Sequence, residues 1–349
     1  MPSAQRNILV IRFSSLGDIA VVVPLMDLLT RTYPDDRFIF LTKQEFIPLL
    51  DKLSNVYPYP FDPHQTHKGF RGLYRLYRSL KELNIRQIVD IHDVIRSKIL
   101  RSFFSFSKVS MAVIEKGRKE KKDLVRRRDK RLYPLKPTIE RYADVFRSLG
   151  FQIYLSHALP SKKKSPSTAV NFVGHEKKET WIGIAPFAHY REKRYPLEKM
   201  EKVIRFLNKK NVKIFLFGGG KSEETYAAQW AQRFENVTSL VAKFTWVEEL
   251  HMIRALDVML SMDSANMHLA SIVGTRVVSI WGATHPFAGF YGYGQCPDDA
   301  IQTQLDCRPC SVFGDKICWR GDWACMDLIS KDHIVDRLLG IMDQNTDNV

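Results

Sequence analysis

Apolar and polar positions alternate along the chain in short apolar runs followed by longer stretches with helical spacing. In the first half the runs Ile8–Phe13, Arg37–Thr42, Gln87–Asp90 and Lys108–Val113 read as buried strands. Stretches with helical spacing at Ile19–Thr32, Phe70–Leu83 and Thr138–Leu149 predict helices. At "RTYPDDRFIFLT" a helix stops at Tyr33-Pro34 and a strand restarts. The second half repeats the scheme. Its strands are Trp181–Ala185, Val212–Phe217, Val258–Met262 and Arg276–Trp281, and its helices Leu197–Asn208, Ser222–Phe234, Val247–Ala255 and Ala265–Val273. Strand–helix alternation predicts an α/β fold with parallel sheets covered by helices on both faces.

Between the halves, "HALPSKKKSPSTAV" (His157 to Val170) is rich in Pro, Ser and Lys and lacks apolar periodicity, as a linker does. The expected organisation is an N-terminal domain over 1–160, a linker over 161–175 and a C-terminal domain over 176–349. Two doubly wound, Rossmann-like domains so joined would face each other across a cleft, with ligands at the carboxyl ends of the strands. The length of 349 residues suits two domains. No apolar stretch reaches the roughly 20 residues that span a bilayer. The N-terminus lacks the pattern of a signal peptide, so a cytoplasmic location is expected.

Charge changes the picture. A formal net charge of +15 implies an acidic partner. The densest basic run is Glu115–Arg131, which contains Arg126, Arg127 and Arg128. It reads either as a solvated loop or as a surface for anionic headgroups or an acidic acceptor, which would place the protein peripherally on the inner membrane. No helix-turn-helix, RNP-type or zinc-finger pattern accompanies it, so nucleic acid is not expected as a partner.

Candidate chemistry lies just past strand ends. In "NILVIRFSSLGDIAVVVPL" a strand, a tight turn and a helix follow one another, yet the glycine fingerprints of dinucleotide sites and P-loops are missing. Ser14, Ser15 and Gly17 stand in their place, with Asp18 beside them. A carboxylate there is a poor anion binder; it is either a general base for an incoming hydroxyl or a first-turn acid that caps the helix. In "SMDSANMHLASIVG" Asp263 ends a strand, Ser264 is a good N-cap, Ala265 opens a helix and His268 follows one turn on. A helix start at a strand end suits a pyrophosphate; the alternative is a plain cap with a packed histidine. "IAPFAHYREKRYP" places His189, Arg191, Lys193 and Arg194 after a strand, with Lys193 suited to neutralise a diphosphate. In "FLFGGGKSEETYA" Glu223 or Glu224 could accept from ribose hydroxyls or complement the helix dipole.

All five cysteines fall after residue 295. Cys307, Cys310, Cys318 and Cys325 have the spacing C-x2-C-x7-C-x6-C. This suits a tetrahedral zinc or iron site of structural type, or four reduced, partly buried thiols.

Together these motifs resemble the lipopolysaccharide heptosyltransferases of glycosyltransferase family nine. "ILVIRFSSLGDIAVVVPL" looks like the family's opening motif, "KRYP" like its lysine loop, and "SMDSANMHLASIVGTRVVSIWGAT" like its donor-binding signature. The resemblance implies a GT-B fold. It implies inverting, metal-independent transfer of heptose from ADP-heptose to an anionic core or lipid A–linked sugar, with no cofactor needed for catalysis. It implies Asp18 as catalytic base, with Ser14, Ser15 and Gly17 on the acceptor side. Lys193 would meet donor phosphate and Asp263 the donor sugar; Ser264, Ala265 and His268 fall in the donor-binding turn and helix, with His189 nearby and Glu223 near the ribose. Cysteine-rich tails occur in related proteins, some of which bind iron. Ala188, His189 and Ala265 depart from the family pattern, which bears on sugar and nucleotide identity. A related transferase with another nucleotide sugar or a protein acceptor is the alternative, as is a non-catalytic nucleotide-sugar-binding scaffold on membranes.

Overall fold

A computed structural model describes residues 5–162, 167–174 and 177–346. The elements run β1 (Asn7–Ile11), α1 (Leu16–Thr32), β2 (Arg37–Thr42), β3 (Val56–Pro60), α2 (Gly69–Lys81), β4 (Gln87–Asp90), α3 (Ile95–Phe104), β5 (Ser110–Val113), α4 (Arg118–Leu124), α5 (Thr138–Arg147) and α6 (Ser167–Val173). They continue with β6 (Thr180–Ala185), α7 (Leu197–Leu207), β7 (Val212–Leu216), α8 (Lys221–Arg233), β8 (Val237–Ser239), α9 (Trp246–Ala255), β9 (Val258–Met262), α10 (Ala265–Ile272), β10 (Arg276–Trp281), β11 (Ala300–Gln302), α11 (Ala324–Asp327) and α12 (Lys331–Thr346).

Every strand pair is parallel. The first sheet has the order β3-β2-β1-β4-β5 and the second β11-β10-β9-β6-β7-β8. Both are the doubly wound order, which reverses once: between β1 and β4 in one sheet and between β6 and β9 in the other. Connections leave in opposite directions at a reversal and open a crevice at the carboxyl ends there. This is the two-unit, parallel-sheet architecture expected from the alternation, of GT-B type.

The strands and helices read from periodicity are present. Helices α3, α4, α6, α11 and α12 were not among those expected, and the strands that escaped have local reasons. β3, "VYPYP", contains two prolines that lack ladder donors, tolerable because β3 is an edge strand. β8 and β11 are edge strands of three residues each, too short for a periodic signal.

In the first unit one sheet face packs Leu9, Ile11, Ile39, Leu41 and Ile88 on Leu73, Leu76, Leu80, Leu100 and Phe104 of α2 and α3. α1 and α5 pack on each other, and Phe38 of β2 meets Phe146 of α5 edge-on. In the second unit Ile182, Ile214, Leu260 and Ile280 pack with Met200, Val203 and Leu207 of α7 and with Ile334, Leu338 and Ile341 of α12.

The division differs from the expected one at two places. The compact units are 1–116 with 138–156, and 117–137 with 157–349. The basic segment 117–137 therefore leaves the N-terminal unit and straps onto the second. Leu124 and Leu135 join Ala288 in a small apolar cluster, and the Lys130 ammonium donates to the carbonyls of Asp306 and Arg308 at 2.9 and 2.8 Å. Of the expected linker, residues 163–166 and 175 lie outside the described residues; 167–173 form α6, which contacts α9. No helix among the described residues is long and apolar enough to cross a membrane.

Candidate active site

In the first unit a polar cluster lies at the β1/β4 reversal. β1 is apolar until Arg12, and Ser15 then caps α1 in extended conformation. This puts Asp18 in the first helical turn, where its Oδ2 accepts from the Ser15 N–H (3.2 Å) and hydroxyl (2.9 Å). The same oxygen pairs with the Arg12 guanidinium, which also donates to the Ile91 carbonyl at 2.8 Å. The buried Tyr142 hydroxyl of α5 donates to the other oxygen, Oδ1, at 3.2 Å. Asp18 is thus both cap and ion-pair partner. Its side chain keeps 24% exposure, so it remains open to a ligand.

Burial alone would raise the Asp18 pKa. The Arg12 charge and the Ser15 donors outweigh it and hold the carboxyl below the usual carboxylate range. Tyr142 is driven the other way, chiefly by burial, and keeps its proton as a donor. From the end of β4, His92 accepts the Phe13 N–H on Nδ1 at 3.2 Å. That bond places any proton of the neutral ring on Nε2. Burial, reinforced by Arg12, pushes the His92 pKa down to about 3, so the ring is neutral near pH 7. Ser14 and Ser15 form the turn itself, and Gly17 lies in the first turn of α1.

In the second unit a polar cluster lies at the β6/β9 reversal. A single turn of 3-10 helix, Arg191–Lys193, follows β6, and Asp263 follows β9. They meet: Lys193 Nζ lies 2.9 Å from Asp263 Oδ2, with side-chain exposures of 16% and 8%. The Thr284 hydroxyl, beyond β10, donates to that oxygen at 2.8 Å. Asp263 Oδ1 carries no hydrogen bond among the described residues. Ser264 occupies the N-cap position of α10, but its hydroxyl lies 3.3 Å from that of Ser261 and makes no cap bond to the helix. The side chain therefore leaves the first N–H groups of α10 to other acceptors. Ala265 opens the helix, and His268 is buried within it.

Other expected donor residues take local partners. Glu223 Oε2 accepts the Gly219 N–H at 2.8 Å, tying the glycine turn to α8. Gly218 has no room for a side chain, since a Cβ would come within 2.8 Å of Phe187 and 2.9 Å of Glu223. Arg194 binds the carbonyls of Ala188 and His189, which fixes that loop; the His189 ring is exposed and meets Tyr190 edge-on.

The basic run is not uniformly solvated. Arg126 pairs with Asp123 at 2.7 Å and Arg127 lies over the Trp319 ring, while Arg128 is exposed. Cys307, Cys310, Cys318 and Cys325 do line one pocket, with Arg308 and Trp323. Yet among the described residues no group of three or more His, Cys, Asp or Glu side chains is set to share an ion.

Sequence reasoning missed Arg12, His92, Tyr142, Thr284 and Arg308. Arg308 is buried and donates to the carbonyls of Trp281, Gly282, Thr284 and Thr303. It thereby orders the end of β10 that carries Thr284. The local signals were Arg12 just past the apolar run of β1 and His92 two residues past the end of β4.

Comparison with known proteins agrees with this fold. The solved structure of a family 9 glycosyltransferase from Veillonella parvula is 15% identical, with a TM-score of 0.75 over 99% of each chain. The ADP-heptose lipopolysaccharide heptosyltransferase II of E. coli is 15% identical, with a TM-score of 0.70 over 98% of this chain and 100% of that one. E. coli heptosyltransferase WaaC with ADP-2-deoxy-2-fluoro heptose is 16% identical, with a TM-score of 0.63 over 88% of this chain and 97% of that one. No curated protein sequence matches. The profile of glycosyltransferase family 9 (heptosyltransferase) matches residues 73–314. That match takes in the loop of Lys193, the strand end of Asp263, all of the second sheet and strands β4 and β5 of the first, and the chain is a glycosyltransferase belonging to this family.

Proposed function

We propose that the protein transfers heptose from ADP-heptose, with inversion, to a lipid A–linked sugar of the lipopolysaccharide core. The observation that carries this reading is the Lys193–Asp263 pair at the open head of α10, on the sheet reversal of a family 9 chain. Lys193 exchanges its carboxylate for a diphosphate oxygen, and the α10 N–H groups accept the rest of that charge. Asp263 Oδ1 takes a hydroxyl of the donor sugar. The loop of His189 and the turn before Glu223 border the nucleoside, with Ala265 and His268 shaping the floor of the helix.

On the acceptor side Asp18, ionised near neutrality, accepts the proton of the attacking hydroxyl. The oxygen forms a bond to the anomeric carbon while the bond to the diphosphate breaks. ADP departs with its charge met by Lys193. Arg12 and Tyr142 fix the carboxylate, and Ser14, Ser15 and Gly17 shape the turn around the acceptor. Arg126, Arg127 and Arg128 would meet the acidic acceptor. Cys307, Cys310, Cys318 and Cys325 share a pocket without being set to share an ion; elemental analysis of anaerobically purified protein tests whether they take zinc or iron in a structural role outside the reaction.

A panel of nucleotide sugars, assayed for nucleotide diphosphate release with lipopolysaccharide-core acceptors, tests the reading. ADP release that depends on ADP-heptose and acceptor supports it. Release of a different nucleotide, or with a protein acceptor only, favours the related transferase that Ala188, His189 and Ala265 hint at.

A further inference from the structure

The α2/α3 face of the first unit has a chemistry that transfer does not use. α2 ("GFRGLYRLYRSLK") and α3 ("IRSKILRSFF") together carry seven cations and no acid. Their buried sides, with Leu73, Leu76, Leu80, Leu100 and Phe104, pack on the sheet. Their other sides would be wholly polar if they only met water. They are not. Phe70, Tyr74 and Tyr77 pack around Phe103 with ring centroids 5.2–5.6 Å apart, forming an aromatic ridge between the helices. Phe70 remains 64% exposed, Ile95 77%, and Phe106, just past α3, 101%. Ile95, Ile99 and Phe103 recur at helical spacing along α3: Ile95 is exposed, while Ile99 and Phe103 are half-buried against the core.

The cations are free to act outward. Arg71, Arg78 and Arg96 are exposed and pair with no carboxylate among the described residues, whereas Arg101 is taken by Asp90 and Asp93.

We propose that this face docks the protein on an anionic phospholipid surface, with Phe70, Ile95 and Phe106 entering the headgroup boundary and Arg71, Arg78 and Arg96 meeting the phosphates. Exposed aromatic and aliphatic side chains interleaved with unpaired cations on helices are what an interfacial site requires. A second copy fits poorly, because a symmetric contact would set the same seven cations against each other. The assignment moves the membrane contact away from Arg126–Arg128, whose first two members have partners within the second unit, and it does not depend on which sugar is transferred.

Co-sedimentation of the full chain with phosphatidylcholine vesicles, with and without phosphatidylglycerol, tests it. Binding to the anionic vesicles only, lost at high salt, is expected. The double substitution Ile95→Ser with Phe106→Ser should weaken binding about tenfold or more without changing the melting temperature, since both side chains are exposed. Arg71→Glu with Arg96→Glu should weaken it at least as much, and Arg126→Glu with Arg127→Glu should not. Nucleotide release toward a soluble acceptor should be unchanged in the α2/α3 variants. Equal binding to neutral vesicles, wild-type binding by the Ile95/Phe106 variant, or loss confined to the Arg126/Arg127 variant would overturn the proposal. So would a dimer in light scattering that the Ile95/Phe106 substitutions abolish, or binding to single-stranded oligonucleotide that competes with vesicles.

Discussion

Oδ2 of Asp263 receives both the Lys193 ammonium, at 2.9 Å, and the Thr284 hydroxyl, at 2.8 Å. One carboxylate oxygen thus holds the cation assigned to the donor phosphate, while the other oxygen stays open. Such a pair stores positive charge at the head of α10 without leaving it uncompensated in a largely buried place.

Lys193→Met should therefore do two things. Nucleotide release should fall about 100-fold or more, the scale of losing one preorganised charge at a leaving group. Stability should also fall, because Asp263 keeps only Thr284. Adding Asp263→Asn to Lys193→Met should restore part of the melting temperature but none of the activity. A double variant no more stable than Lys193→Met would show that the pair is not coupled.

Asp18→Asn keeps a side chain that can accept from Ser15 but removes the charge facing Arg12. Turnover should drop about 100-fold or more if the carboxylate takes the acceptor proton. The mostly buried guanidinium loses its counter-charge, at a cost of about 3 kcal/mol. Tyr142→Phe serves as the comparison: it removes one hydrogen bond, worth about 1 kcal/mol, and leaves the base in place. Steady-state kinetics and urea midpoints separate the two. Equal turnover in Asp18→Asn and wild type would end the base assignment.

His92 makes stability depend on pH. Its folded pKa, about 3, lies below the ordinary 6.5, so the unfolded chain binds the proton first. Stability should fall as pH drops through that window, by at most about 1.4 kcal/mol per pH unit from this group. His285, lowered to about 4 mainly by burial, adds its own share. In His92→Asn the loss of stability between about pH 7 and about pH 5 should be smaller than in wild type, though not zero. An unchanged slope would mean that the fold does not hold His92 neutral.

Gly314 connects the cysteine-rich tail to the donor lysine. Its φ is +79°, and a Cβ there would lie 2.5 Å from Cγ and Cδ of Lys193. Gly314→Ala should cost about 1 kcal/mol in backbone strain and displace the lysine, raising the donor KM several-fold. Gly321, with φ +76° and open space around it, is the control in the same tail. Gly321→Ala should lower stability to a similar extent and leave the donor KM alone. Matching kinetics for the two variants would remove Gly314 from the donor site.

The parts of the site that could be read from residues alone were those lying within one strand–turn–helix. Ser15 and Asp18 are three positions apart, and one turn brings them together. Asp263, Ser264 and Ala265 are consecutive, so the strand end and helix start of β9 and α10 announce themselves. Ser264 also shows the limit: its position as N-cap was legible, but its hydroxyl turns to Ser261, not to the helix. The basic run was legible as charge, and its role as a strap, through Leu124, Lys130 and Leu135, was not.

Periodicity by itself determined the alternation of strands and helices, because burial on one face or both leaves its period in the local sequence. It could not determine which strands are neighbours, since the apolar runs of β1, β4, β6 and β9 are interchangeable as far as their composition goes. Tertiary structure decided that Arg12 and Tyr142 meet Asp18, the latter from 124 positions away, and that Lys193 meets Asp263 from the far side of three helix–strand units. These contacts exist because each sheet reverses its winding between one particular pair of strands, and only there do two strand ends leave an opening for polar side chains to converge.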